Sequence, residues 1–227
     1  MNKKKFLSGL LVLSLVLSLI VACHKQQNPS VSDISLSSSD VSNVTTDLLR
    51  NDSVYLDIMA GTYDLSKLIF AGCNRNQAKF DSAVQAIQIL QNDTTLTNDQ
   101  MFAKLDSILH LPSNKSLKLF YNHFASKWAV LQQKYGSKLT DQYVNQETTE
   151  AQKANPENFR VAVPCQDLTS YTLCTAGVTA GAIMAHAACL TTVLAAPACF
   201  ALVATVQVAG INACSVSYCG TGVFSAS

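Results

Sequence analysis

Six cysteines crowd the last third of this chain, and their spacing restricts the fold more than anything else in the sequence. They are Cys165, Cys174, Cys189, Cys199, Cys214 and Cys219. Positions 189 and 199 centre on residue 194, as do 174 and 214; positions 165 and 219 centre on 192. Pairs nested about one point are what an antiparallel hairpin produces. The spacing therefore favours Cys165–Cys219, Cys174–Cys214 and Cys189–Cys199 among the many pairings open to six cysteines. The step of 15 residues from Cys174 to Cys189 recurs from Cys199 to Cys214. At about 100° per helical residue that step returns to within about 60° of its start, so each helix can show both cysteines to its partner.

The same region carries no charge. From Leu168 to Ser227 there is no Lys, Arg, Asp or Glu, although the whole chain has 16 basic and 15 acidic residues. Thr175–Ala196 is long enough to cross a hydrocarbon core of about 30 Å as a helix. Pro197 permits a bend and a first-turn start for a second helix, with Phe200–Ser215 the second apolar segment. Composition resists insertion, because Ala, Gly, Thr and Cys dominate and His186, Gln207 and Asn212 are polar. Gly177, Gly181 and Ala185 lie four apart and suit close helix contact. Two expectations stand side by side: a soluble, disulfide-stapled αα-hairpin, or one that is soluble when closed and membrane-active when it meets lipid.

The N-terminus gives an address. "MNKKKFLSGLLVLSLVLSLIVAC" sets Lys3, Lys4 and Lys5 before an apolar run, the order of a secretory signal peptide. Its end, Ile20-Val21-Ala22-Cys23, resembles the lipobox of bacterial lipoproteins. The resemblance implies cleavage before Cys23, diacylation of its thiol with palmitate-type chains and anchoring in a membrane. His24 stands where an inner-membrane retention signal has Asp, which favours the outer membrane. Several acyl chains meet the requirement of stable attachment. Export places the cysteines in a compartment where disulfides persist.

These features divide the chain into a signal peptide (1–22), a lipid-anchored Ser-rich tether (23–46), a helical domain (47–155), a linker bracketed by Pro156 and Pro164 (156–164) and the cysteine-rich apolar hairpin (165–227). The tether composition cannot bury enough apolar surface to order itself. As a random chain it reaches roughly 20–25 Å.

The middle region reads as helices throughout. In "SLKLFYNHFASKWAVLQQKYG", Leu117, Phe120, Phe124, Trp128, Leu131 and Tyr135 form a stripe at helical spacing, with Ser113 as cap and Gly136 at the C-terminal left-handed position. Thr97 and Gln100 suit a capping box. Phe80, Val84, Ile87 and Leu90 mark another helix. "NDSVYLDIMAGTYDLSKLIFAG" reads as one or two helices, with Gly61 a potential break. "KLTDQYVNQETTEAQK" is helical but polar, so it is expected on the surface. With no strand pattern, the fold expected is all-α: a four- or five-helix bundle followed by a stapled hairpin.

Chemistry is sparse. His110 and His123 read as structural, Trp128 as core, and Cys73 as a buried thiol or a link to another chain. No nucleophile–base set or phosphate loop stands out, so neither a catalytic residue nor a cofactor is expected. A metal is not expected either, since the nearest cysteines, 214 and 219, are five apart whereas zinc pairs sit about two to four apart. A net charge of +1 leaves no footprint for nucleic acid. The segment "CTAGVTAGAIMAHAACLTTVLAAPACFALVATVQVAGINAC" resembles the hairpins of pore-forming bacteriocins. It also resembles halocin-type cysteine-rich peptides, although that family has more cysteines. That resemblance implies a membrane-perturbing toxin or precursor whose C-terminal module is active. The lipobox resemblance, with no catalytic set in the chain, implies instead a non-enzymatic envelope lipoprotein whose hairpin serves binding or packing against lipid or a protein partner.

Overall fold

In the computed structural model the described residues are 48–159, 165–192 and 196–224, all within one compact unit spanning Thr45–Ser227. The signal peptide, Cys23, the tether and residues 160–164 of the linker lie outside them. The fold is all-α. Among the described residues seven helices follow in order: α1 (Ser53–Gly72), α2 (Gln77–Leu90), α3 (Asn98–Ile108), α4 (Leu117–Tyr135), α5 (Asp141–Ala154), α6 (Leu168–Cys189) and α7 (Ala196–Cys219). Short 3₁₀ turns precede α1, α4 and α5 and follow α5.

Local sequence starts each of the first six helices. Asp52, Asn76, Thr97, Ser116, Thr140 and Asp167 each accept a hydrogen bond from a first-turn N–H. Such caps contribute about 0.5–2 kcal/mol each. Thr97 and Gln100 form the full reciprocal box. Ser116, not Ser113, caps α4; Ser113–Lys115 is a 3₁₀ turn ahead of it. Asp106 fixes that junction by accepting from Leu117 N at 2.7 Å. Gly61 interrupts nothing, since α1 runs unbroken through it. Gly136 ends α4 with φ +52°, a conformation glycine adopts without Cβ strain.

Helix α7 stands at the centre. It pairs antiparallel with α6 and also touches α1, α2, α3 and α4. Ala198, Phe200, Ala201, Ala204, Val208 and Ile211 are buried along it, and small side chains at three of these positions let neighbours come close. Pro197 sits in the first turn of α7, the helix start that its missing N–H permits. Gly177, Gly181 and Ala185 are only half-buried. The close approach in the hairpin falls at Gly210, where a Cβ would meet Val178 Cγ1 at 2.7 Å. Beyond α7, Phe224 packs on Phe70 and Phe80, with ring centroids 4.9 and 5.0 Å away.

The polar helix α5 lies at the surface, as expected, but it also turns one face inward. It packs along α6 and buries Val144, Glu147, Thr148, Ala151 and Gln152 on one face. Partners make that burial tolerable. Arg50 N donates to Glu147 Oε2 at 3.0 Å and Arg50 Nη1 lies 3.5 Å from Oε1. Thr148 is hydrogen-bonded to the Tyr55 hydroxyl. Gln152 Nε2 donates to Thr179 Oγ1 at 3.3 Å, and Thr175 Oγ1 lies 3.2 Å from Gln152 Oε1. Satisfied groups of this kind cost little, whereas orphaned ones cost about 1–3 kcal/mol.

The end of α1 meets the backbone just beyond α3, where a Cβ on Gly72 would stand 2.2 Å from Leu109 O. A backbone carbonyl cannot rotate away as a side chain can. Gly72→Ala is therefore expected to destabilise the protein by about 1–3 kcal/mol, read as a fall in the midpoint of thermal or denaturant unfolding.

Candidate functional site

The elements with the strongest claim to function are the bridged α6–α7 hairpin and the ring cluster beneath it. Three disulfides hold the hairpin: Cys165–Cys219, Cys174–Cys214 and Cys189–Cys199, with Cα separations of 4.0, 5.8 and 5.6 Å. The first closes the open end, the second ties the helices above it, and the third lies at the turn. Cys73 is the free cysteine among the described residues and is fully buried. Burial raises its thiol pKa, with Lys79 opposing weakly. A link from Cys73 to another chain would require α1 to unpack.

His186, near the end of α6, is completely buried. Its ring centroid lies 3.9 Å from that of Phe200 and 5.4 Å from that of Phe124. Phe124 also packs on Phe200 at 5.8 Å and stacks with Trp128 at 6.0 Å. Neither nitrogen of His186 has a hydrogen-bond partner among the described residues. Burial therefore holds the ring neutral, with its pKa lowered from 6.5 to about 3. The Gln207 amide and Ser215 Oγ are likewise buried and unpartnered among the described residues. The hairpin thus turns polar atoms inward, and the exposed residues of α7 are Ala213, Val216, Ser217 and Tyr218.

The other two described histidines stand apart from His186 in role. His123 Nε2 lies 3.0 Å from Asp57 Oδ2, which Lys127 also approaches at 3.3 Å, and all three are partly exposed. His110 occupies a left-handed position with φ +51°, where Leu111 N donates to Asp106 O and closes the end of α3. Asn74 and Arg75 close α1 in the same way, with φ of +52° and +53° and a bond from Arg75 N to Phe70 O. Between these two ends runs an open groove of about 930 Å³. Leu68, Ala83 and Ile108 line it, with Lys79, Asn74 and His110 at polar points.

A charge cluster that sequence reasoning missed ties α1 to α4. Asp52 accepts from Val54 N at 2.8 Å, Lys134 Nζ at 2.9 Å and the Tyr135 hydroxyl at 3.0 Å. Burial alone would raise the Asp52 pKa, but these donors outweigh it and hold the carboxyl below its ordinary range. The arrangement is a helix cap with extra donors and presents no nucleophile. No group of three His, Cys, Asp or Glu suited to a metal occurs among the described residues. No protein-family model, curated protein or solved structure matches the chain.

Two outcomes follow. Replacing Cys174 and Cys214 together by Ser is expected to lower the unfolding free energy by about 2–4 kcal/mol, measured by denaturant titration with the other two bridges oxidised. For His186, folded and unfolded chains are both neutral above pH 6.5. Between 6.5 and about 3 the unfolded chain binds a proton that the folded chain does not. Stability should therefore fall by about 1.4 kcal/mol per pH unit as pH drops through that window. In the upper half of the window, where Asp52 is still ionised, His186→Phe should flatten the slope. An unchanged slope would mean that the ring is not the group responsible.

Proposed function

We propose that this is a non-enzymatic lipoprotein of the bacterial cell envelope, acylated at Cys23, with the outer membrane favoured over the inner. Its cysteine-bridged hairpin serves as the internal column of a rigid helical body that acts by binding or packing. The observation that carries this reading is the use made of α7. The most apolar of the described helices is spent on the protein's own core, touching α1, α2, α3, α4 and α6. Both α6 and α7 are long and apolar enough to cross a membrane, yet half of each apolar window is buried inside the fold. Core helices of globular domains pass the same length test. A releasable toxin would need to part α6 from α5 and α7 from four further helices. Separation would break the Gln152–Thr179 contact and the ring packing around Phe200.

Intact mass and non-reducing peptide mapping of the native protein test the proposal. The expected result is a single chain beginning at an acylated Cys23, uncut between Asn155 and Cys165, that causes no dye leakage from liposomes. Recovery of a free Val161–Ser227 fragment that leaks vesicles would replace this reading with the bacteriocin-like one.

A further inference from the structure

We propose that the seam between α4 and the bridged hairpin is an acid-operated latch: closed while the His186 ring is neutral, and released, with the hairpin itself intact, when that ring takes a proton. This goes beyond the binding role proposed above and does not depend on acylation of Cys23. A single contact yields in it, not the whole fold.

Covalent bonds decide which wall around His186 can move. The ring is completely buried between Phe200 of α7 and Phe124 of α4. Cys189 follows His186 by three positions and is bridged to Cys199, the residue directly before Phe200. The Phe200 wall therefore stays with the ring. The α4 wall is not covalently tied. Tyr121 and Phe124 both meet Phe200 edge-on, at 5.5 and 5.8 Å, and Phe124 stacks on Trp128 behind. A shallow apolar hollow lined by Gly61, Phe120, Phe124 and Phe200 thins the packing along this seam, with partly exposed His123 beside it.

A proton on His186 meets no counter-charge in this place. Neither ring nitrogen has a hydrogen-bond partner among the described residues. Helices α6 and α7 contain no Lys, Arg, Asp or Glu. On α1, Asp57 is partly exposed and already engaged by His123 and Lys127 of α4 at 3.0 and 3.3 Å. The phenyl rings replace only part of the water that a buried cation gives up. Admitting water by displacing Phe124 relieves that cost, and the ring then titrates near its ordinary 6.5. Each pH unit below 6.5 thus favours the open seam about tenfold. Two carboxyls near α4 do not drive the change. Burial raises the pKa of Asp106, which accepts from Leu117 N, so acid favours the folded form there. Donors outweigh burial at Asp52 and hold it below the ordinary carboxylate range, so it stays ionised in mild acid.

Hydrogen exchange followed residue by residue by NMR tests the latch on the mature chain carrying Cys23→Ser, with its three disulfides intact. Rates are taken between pH 6.5 and about 4.5 and corrected for intrinsic chemical exchange. Amide protection from Phe120 to Leu131 is expected to fall about tenfold per pH unit. It should also stay roughly tenfold or more below that of hairpin amides such as Ala201 and Val208, because a local opening costs less than unfolding the bridged pair. His186→Phe should remove the pH dependence in α4. His186→Gln, which keeps polarity without titrating, should do the same and serves if the Phe variant does not fold. His123→Gln should leave the response in place. Equal protection of α4 and the hairpin throughout would overturn the proposal, since the two would then open together. So would α4 protection that ignores pH, or a pH dependence that survives in the His186 variants. Loss of the response in His123→Gln would assign it to the surface pair and sink the latch.

Discussion

The packing of α7 against five other helices is the contact on which the rest of this structure depends. A helix of Ala, Val, Thr and Cys has little side-chain volume, so its neighbours must come close, and closeness leaves little tolerance for misalignment. Disulfides supply the alignment. Each pins the α6–α7 register at one height, at the open end, one level above it and at the turn. The remaining helices then assemble on a surface whose shape is already fixed. A domain of this size can hold a core without covalent help. The bridges therefore act chiefly on the hairpin, whose small side chains bury less area each than Leu or Phe would.

The hairpin buries polar groups among its apolar ones: His186, Gln207, Ser215 and a Thr–Gln network lie inside with Phe200, Val208 and Ile211. Neither helix has one face clearly more apolar than the other. Orientation within the fold is consequently set by bridge positions and by the bonds of Gln152 with Thr175 and Thr179, not by an apolar stripe. The bundle half works differently. There α4 turns a stripe of Leu117, Phe124, Trp128 and Leu131 inward, and caps define where helices begin.

These two modes explain how much the sequence disclosed. The fold class, the stripe of α4 and the Thr97 capping box were legible because each rests on local spacing. The nested set of bridges could be read because a hairpin maps pairing onto a shared midpoint. The buried face of α5 was hidden, since Glu147, Thr148 and Gln152 look like surface residues until Arg50, Tyr55 and Thr179 arrive from far along the chain. The close contact at Gly210 escaped notice for a similar reason. Spacing marks Gly177, Gly181 and Ala185, but the residue that must be small depends on the rotation the bridges impose. Of the candidate site, the cysteine framework could be read, whereas the enclosure of His186 by Phe124 and Phe200 depends on three separate helices meeting.

Cys73 bears on how the chain matures. Among the described residues six cysteines are bridged and Cys73 keeps its thiol, a source of exchange because any thiolate can attack a disulfide and reshuffle the set. Here the spare thiol is sealed inside the packed body, and burial disfavours its reactive anion. The native pairing is thus protected from within once α1 has packed, and is vulnerable only before that. Oxidative folding becomes a race between helix docking and thiol exchange.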